Sequence, residues 1–134
     1  MCDLGVTKRV KCIGSSSIGG WRIMQVYKKG DGGQSLYSVY RSLNTKYILG
    51  CKCDARDLDS VPYRKVSEAS DEDFYREDYG FWCFKTRKLA REWKRGKIRS
   101  FKKLRLVKVQ MLERVVEHEF GYRAQAIIPL AIVS

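Results

Sequence analysis

The first residues in this 134-residue chain that could do chemistry are its cysteines and its single histidine. Cys51 and Cys53 form a C-x-C pair, and Cys83 and His118 are further side chains that could bind a metal ion. Zinc usually takes about four nitrogen or sulfur ligands, which arrive as two closely spaced pairs. The sequence contains one such pair and no second, so we predict buried or half-buried thiols, with no metal and no other cofactor. A metal site built from these four residues is the alternative.

His118 could also act as a general base, because a glutamate stands on each side of it. On a regular strand the neighbours of a residue point to the opposite face, which disfavours a pairing with either carboxylate. We interpret His118 instead as a turn residue that holds a hairpin through hydrogen bonds with Tyr122 or Arg123. A nucleophile pair of Cys83 and His118 would need a thiolate in an apolar strand, where burial disfavours it. We therefore predict that the chain is not an enzyme.

Basic residues form the strongest chemical signal in the chain. The formal net charge is +12, from 27 Lys and Arg against 15 Asp and Glu. Residues 85–108 contain twelve of the basic residues and a single acidic one, Glu92, whereas residues 54–78 are acidic. These acids can neutralise only part of the basic segment, so we expect a face that binds phosphate groups and binds them less tightly as salt increases. The predicted polyanion- or partner-binding residues are Lys85, Arg87, Lys88, Arg91, Lys94, Arg95, Lys97, Arg99, Lys102, Lys103 and Arg105.

Three interpretations of this basic segment are open. It could bind nucleic acid, it could bind an acidic surface of another protein, or it could be a solvated face that keeps a small protein soluble. The sequence has no zinc-finger, helix-turn-helix or RNA-recognition signature, so binding to nucleic acid would not read the base sequence. We favour nucleic acid as the partner, bound without sequence specificity.

The elements that must position these residues are mostly strands. Alternating residues with aromatic and β-branched types predict strands at 21–28 and 36–41, and the glycines between them predict a hairpin. Pro129 predicts a bulge or a sheet edge in the last strand. The other predicted elements are strands at 6–13, 47–49, 81–84, 104–112 and 122–133, a loop at 14–20, and residues 113–117, which either continue a strand or begin the next.

One helix is predicted over about residues 86–95. Thr86 is a capping residue at its start, and Gly96 is a residue type that ends helices. Leu89 and Trp93 are four residues apart and therefore share one side. The rest of the helix surface is basic, so the helix is expected to be amphipathic.

Residues 1–134 are predicted to form a single domain, because no repeat, low-complexity tract or linker divides the chain. An acidic irregular segment spans 51–78 and the basic segment spans 85–108. We predict the α+β class, with a small, mainly antiparallel sheet and the basic amphipathic helix packed on it.

Two short motifs resemble those of a known family. The first is the strand-to-helix element Gly80-Phe-Trp-Cys-Phe-Lys-Thr86, and the second is Val115-Val-Glu-His-Glu-Phe-Gly-Tyr-Arg-Ala124. Over about residues 20–128 the chain resembles an uncharacterised family of small proteins of large DNA viruses and phages. The resemblance implies a small α+β fold and a viral or phage-like context. It implies no catalytic residue, because no activity is established for that family.

The expected function is that of a small, non-enzymatic accessory protein of viral or phage type that binds a polyanion through its basic helix and turn. The alternative is a structural or assembly protein, such as a minor component of a virus particle, that contacts acidic surfaces of neighbouring viral structural proteins. The apolar tail at 126–133 fits this alternative, because it could pair with the sheet edge of a neighbour.

Two features of the sequence bear on location. It contains no run of about eighteen apolar residues, which predicts that no helix spans a membrane. Its first residues lack the basic and apolar regions of a signal peptide, and its five cysteines are an odd number. We therefore expect a protein of the host cytoplasm or nucleus, or of the virion, that is not secreted.

Overall fold

The computed structural model describes residues 11–12, 18–28, 34–37, 46–55, 80–97 and 103–133. These ranges contain the helix α1 (Arg87–Lys97) and the strands β1 (Lys11–Cys12), β2 (Ile18–Lys28), β3 (Gln34–Tyr37), β4 (Lys46–Tyr47), β5 (Cys53–Asp54), β6 (Phe81–Phe84), β7 (Leu104–Glu117) and β8 (Gly121–Ile132). No helix in these ranges has the length and the apolar character that crossing a lipid bilayer requires.

Four strands close into a small barrel in which every pairing is antiparallel. β7 pairs with β2 on one side and with β8 on the other, and β6 closes the ring because it pairs with both β8 and β2. Among the described residues, β2 and β6 pair at one position, where Trp21 faces Phe84. On its other side Trp21 faces Lys108 of β7. Outside the ring, β3 and β4 extend the sheet from β2, β1 lies beside β7, and β5 lies beside β8.

β2 separates two hydrophobic clusters, because successive side chains point to opposite faces of a strand. Met24 points into the barrel, where it packs with Phe81 and Met111, and all three are fully buried. Ile23 points outward toward α1. The outer cluster consists of Ile23, Phe84, Ala90, Leu104 and Leu106, with Trp21, Trp82, Leu89 and Trp93 packed against it. The two faces that the alternation of residues 21–28 predicted are therefore both buried over the middle of β2.

A buried arginine links two strands of the barrel, β2 and β6, to β4 outside the ring. Arg22 on β2 is 5% exposed, and it donates hydrogen bonds to the Trp82 carbonyl oxygen on β6 (2.6 Å) and to the Tyr47 hydroxyl oxygen on β4 (3.1 Å). Its guanidinium carbon also lies 5.6 Å from the ring centres of Tyr47 and Phe81. Hydrogen bonds from a charged donor are stronger than those between neutral groups. Arg22 therefore ties β4 to the barrel.

Two irregularities bend the long hairpin of β7 and β8. At the first, Glu113 has a φ of 67° where the register shifts, a backbone conformation that is uncommon for a residue other than glycine. At the second, Leu130 is an extra residue of β8 beside Pro129. The Pro129 carbonyl oxygen accepts a hydrogen bond from the Gly50 amide (2.7 Å). Of the bulge or sheet edge predicted at Pro129, the structure shows the bulge.

The structure confirms several predicted elements and corrects others. β6 spans the predicted residues, and the predicted hairpin corresponds to the antiparallel pairing of β2 with β3. β3 begins at Gln34, ahead of the predicted strand at 36–41, whose residues 38–41 lie outside the described ranges. Residues 113–117 continue β7 as one strand. The predicted loop at 14–20 is wrong from Ile18 onward, because these residues pair with β7 as the start of β2. Gly96 does not end α1: it lies inside the helix, without the positive φ that a glycine at a helix end adopts.

The predicted fold class is confirmed in part. The described chain is mostly antiparallel sheet with one helix, so it is β-rich, and the α+β description gives the helix too much weight. The strand predicted at 47–49 is shorter and lies at Lys46–Tyr47, ahead of a turn. In the segment predicted to be irregular, β5 is a strand, and residues 56–78 lie outside the described ranges.

Gly20 stands where β2 comes closest to β6, and we expect Gly20→Ala to destabilise the protein. A Cβ atom at this position would lie 2.7 Å from Met111 Cε and 3.3 Å from the Phe84 carbonyl oxygen. The methionine end can move, but the backbone oxygen belongs to the closing pair. The free energy of unfolding should fall by about 1–3 kcal/mol in urea denaturation.

Gly19→Ala is the matched control for this substitution. A Cβ atom at Gly19 would have nothing within 4 Å. Its effect on the free energy of unfolding should therefore stay within about 0.5 kcal/mol. Equal stability of the two variants would contradict the close packing at Gly20.

Candidate polyanion-binding surface

A cap and an apolar side position α1. The Leu89 amide donates a hydrogen bond to Thr86 Oγ1 (3.2 Å), which satisfies one of the amides that a helix start leaves open. The cap predicted at Thr86 is thus confirmed. Leu89, Ala90 and Trp93 pack on the outer cluster, and the ring centre of Trp93 lies 6.1 Å from that of Phe84. Apolar contacts therefore hold the helix on the sheet.

The opposite side of α1 is a row of exposed cations. Lys88, Arg91 and Arg95 are spaced so that they share one face of the helix, and all three are exposed, as is Arg87. The described residues provide no carboxylate within ion-pair distance of these four side chains. The first turn contains no acidic residue, although a helix start favours negative charge. The helix start and the exposed row therefore carry positive charge that no ion pair within the described residues neutralises.

β7 brings more cations beside the helix. Lys103, Arg105 and Lys108 are exposed at or near the start of β7. Burial lowers the pKa of Lys94 on α1, and the positive charges of Arg105 and Arg91 lower this pKa further. Cations of the helix and of the strand thus lie close enough to repel one another. An anion bound among them would relieve that repulsion.

Lys85 differs from the exposed row of Lys88, Arg91 and Arg95 because it has a carboxylate partner among the described residues. Its Nζ atom lies 3.5 Å from Glu117 Oε2 and 5.6 Å from the centre of the Tyr122 ring. Burial and then the charge of Glu117 raise the pKa of Tyr122. Lys85 therefore adds less positive potential than the exposed row does.

Most of the predicted binding residues lie on α1 and at or near the start of β7. We define the basic ridge as Arg87, Lys88, Arg91, Lys94, Arg95, Lys103, Arg105 and Lys108. Lys108 belongs to the basic segment but was not among the predicted binding residues. Lys97 is the last residue of α1 and its side chain is outside the described part, as are Arg99 and Lys102 entirely.

Two aromatic rings accompany the basic ridge, and the sequence did not predict them as site residues. Trp21 is half-buried, and its ring centre lies 5.9 Å from the Arg87 guanidinium carbon and 5.9 Å from Lys108 Nζ. Tyr27 is 38% exposed, and its ring centre lies 5.0 Å from Lys103 Nζ. The alternation of residues 21–28 places both rings on one face. Their contacts with cations depend on tertiary structure.

The candidate metal ligands do not form a cluster in the described part of the chain. Cys51 is exposed, and Cys53 is half-buried on β5. Cys83 is buried in the barrel interior, whereas His118 stacks on the outward-pointing Trp82, with ring centres 5.1 Å apart. Because adjacent residues of a strand point to opposite faces, Cys83 and His118 lie on opposite sides of β6. The described residues contain no group of three or more His, Cys, Asp and Glu that could hold a metal ion.

His118 stabilises the end of the β7–β8 hairpin. It is 5% exposed, its amide donates to the Gly121 carbonyl oxygen (2.8 Å), and its Nε2 atom accepts a hydrogen bond from Arg123 Nε (3.3 Å). Arg123 is 1% exposed, and its guanidinium carbon lies 5.9 Å from the centre of the Trp82 ring. Of the two hydrogen-bond partners predicted for His118, the structure confirms Arg123.

Comparisons with known proteins found no relative to which this surface can be related. No family model matches the chain, and no match was found among curated proteins or solved structures. We therefore infer function from the geometry and charge of the chain itself.

Replacing His118 should destabilise the hairpin end. In His118→Phe the ring that stacks on Trp82 is kept, but the acceptor for the buried Arg123 Nε is lost. A hydrogen bond from a charged group contributes about 1.5–3 kcal/mol, and we expect the free energy of unfolding to fall by about that amount in urea denaturation. His118→Gln retains an acceptor and should lose less. A His118→Phe variant as stable as the wild type would refute this role.

Proposed function

We propose that this chain is a small, non-enzymatic accessory protein that binds a polyanion, most simply nucleic acid, through the basic ridge. The observation that carries the proposal is the exposed row of Lys88, Arg91 and Arg95 beside the cations of β7. No carboxylate of the described residues pairs with this row. Phosphate groups along a nucleic-acid backbone can replace the counterions of such a surface.

The way α1 is held favours backbone contacts over reading of bases in a duplex. α1 lies on the sheet through Leu89, Ala90 and Trp93 and turns long, flexible cations outward. Contacts between such cations and phosphates position a protein on nucleic acid without carrying sequence information. Binding without sequence specificity is the expected consequence.

The viral or phage-like context is a proposal that rests on the two motifs, which form β6 with the start of α1 and the β7–β8 turn. A place in the host cytoplasm, the nucleus or the virion belongs to the same proposal. The alternative role in virus assembly relied partly on the tail at 126–133 as a free edge. β8 is already paired on both sides at Ala126 and Ile127, so that strand supplies fewer open backbone groups than expected.

Neutralising two cations of the basic ridge should weaken nucleic-acid binding and its salt dependence. We compare Lys88→Gln/Arg95→Gln with the wild type by fluorescence anisotropy on a labelled DNA duplex from low to high salt. Each phosphate contact contributes about −0.9 to the slope of log Kobs against log salt, so the slope should become shallower by about 1–2. The affinity should fall at every salt concentration.

Lys46→Gln/Lys52→Gln is the control with the same change in charge. Both lysines are exposed near the turn after β4, and Lys52 Nζ lies 2.8 Å from Glu113 Oε1. This variant should keep most of the wild-type slope. Equal losses in the two double variants would assign binding to net charge instead of the basic ridge, and no binding at low salt would refute the proposal.

A further inference from the structure

The basic ridge also carries an indication of which nucleic acid it binds. We propose that it binds single-stranded nucleic acid, with bases stacked on Trp21 and Tyr27 and phosphates held by the cations between them. This inference rests on the proposed function, because it names the ligand class of the same surface.

We define the binding track as the stretch of β2 from the Trp21 ring to the Tyr27 ring. Trp21 and Tyr27 lie on the outward face of the strand six positions apart, which corresponds to about 20 Å at about 3.3 Å per residue. α1 has 11 residues, so it is about 16 Å long, and it packs over Ile23 between the two rings. The cations of the helix therefore run from one ring toward the other.

The direction of α1 agrees with this track. Arg87, at its first turn, contacts Trp21. Near its other end, Lys94 is close enough to Arg105 for the charge of Arg105 to lower its pKa, and Arg105 pairs with Met24, farther along β2. Farther toward Tyr27, the Lys103 carbonyl oxygen accepts a hydrogen bond from the amide of Val26, the neighbour of Tyr27 (2.9 Å).

Neighbouring side chains hold both rings in place, which favours stacking of a flat ligand group on them. The Tyr27 hydroxyl donates to Gln25 Oε1 (2.9 Å), and its ring packs edge-on against Tyr37 with centres 5.9 Å apart. Trp21 is held by its packing on the outer cluster. Cations lie against both rings, and these side chains can move onto phosphates while a base takes the ring face. Stacking of a base on an aromatic ring tolerates any sequence, because every base has such a face.

Stacking on these rings requires bases that are not paired. In a duplex the bases are stacked on one another, and a surface such as the basic ridge reaches only the backbone. A single strand exposes its bases and its phosphates together. Half-exposed rings at intervals along a line of cations match that arrangement better than they match a duplex.

The test separates stacking from charge. Anisotropy is measured at one low salt concentration with a labelled thymidine oligonucleotide about twelve nucleotides long and with an abasic strand of the same length and charge. Wild-type protein should bind the thymidine strand at least about tenfold more tightly. Tyr27→Ala should lower that ratio by about fivefold or more and leave the affinity for the abasic strand within about twofold.

Two further variants complete the experiment. Trp21→Leu should lower the ratio in the same way, and Tyr27→Ala keeps the test valid if the half-buried Trp21 proves necessary for folding. Ile48→Ala removes a side chain that is 61% exposed on the turn after β4, and it should leave the ratio unchanged.

The outcomes distinguish this inference from the proposed function. Equal affinity of the wild type for the thymidine and abasic strands would overturn stacking and leave polyanion binding intact. Stacking would also be overturned if Tyr27→Ala weakened binding to the thymidine strand and to the abasic strand by the same factor. Failure of the wild type to bind either strand while it still binds the duplex would overturn this inference alone, and failure to bind all three would overturn both proposals.

Discussion

The double pairing of β2 at Trp21 is the constraint on which the rest of the structure depends. At this residue β2 meets β6 on one side and β7 on the other, and Gly20 beside it leaves the room that this approach needs. Closure of the four-strand ring separates an interior, which contains Met24, from an outer apolar face. α1 packs on this outer face and shields it from water, and its position follows from the closed ring.

The apolar contacts of Leu89, Ala90 and Trp93 with the outer cluster hold α1 on the sheet, and Lys88, Arg91 and Arg95 remain exposed on its opposite side. A helix held by ion pairs would have to break them when it bound an anion. Here the exposed row has no ion pair within the described residues, so none of these pairs would have to break. The cost is repulsion among like charges: burial is the main cause of the lowered pKa of Lys94, and the charges of Arg105 and Arg91 lower this pKa further. Stability and binding thus make opposite electrostatic demands on this surface.

Local patterns predicted local structure well in this chain. The alternation in residues 21–28 gave both faces of β2, the apolar run at 81–84 gave β6, and Thr86 gave the helix cap. Ring closure was not predicted, because Gly20 reads as a loop glycine until β6 and β7 are placed on either side of it. The charges of the basic ridge were visible in composition. The rings beside them were not, since the contact of Trp21 with Arg87 and Lys108 joins three elements that are far apart in sequence.

The double role of β2 has a consequence for how this protein can change under selection. Trp21 belongs to the closing pair, packs on the outer cluster and lies against Arg87 of the basic ridge, so a substitution there alters both the fold and the proposed binding surface. Tyr27, at the exposed end of the same strand, is far less entangled with the core. Under the proposed stacking, substitutions that change ligand preference are therefore expected to be tolerated better at Tyr27 than at Trp21. The same strand thus contains one ring, Trp21, that packs on the outer cluster and one ring, Tyr27, that is exposed and can change at less cost to the fold.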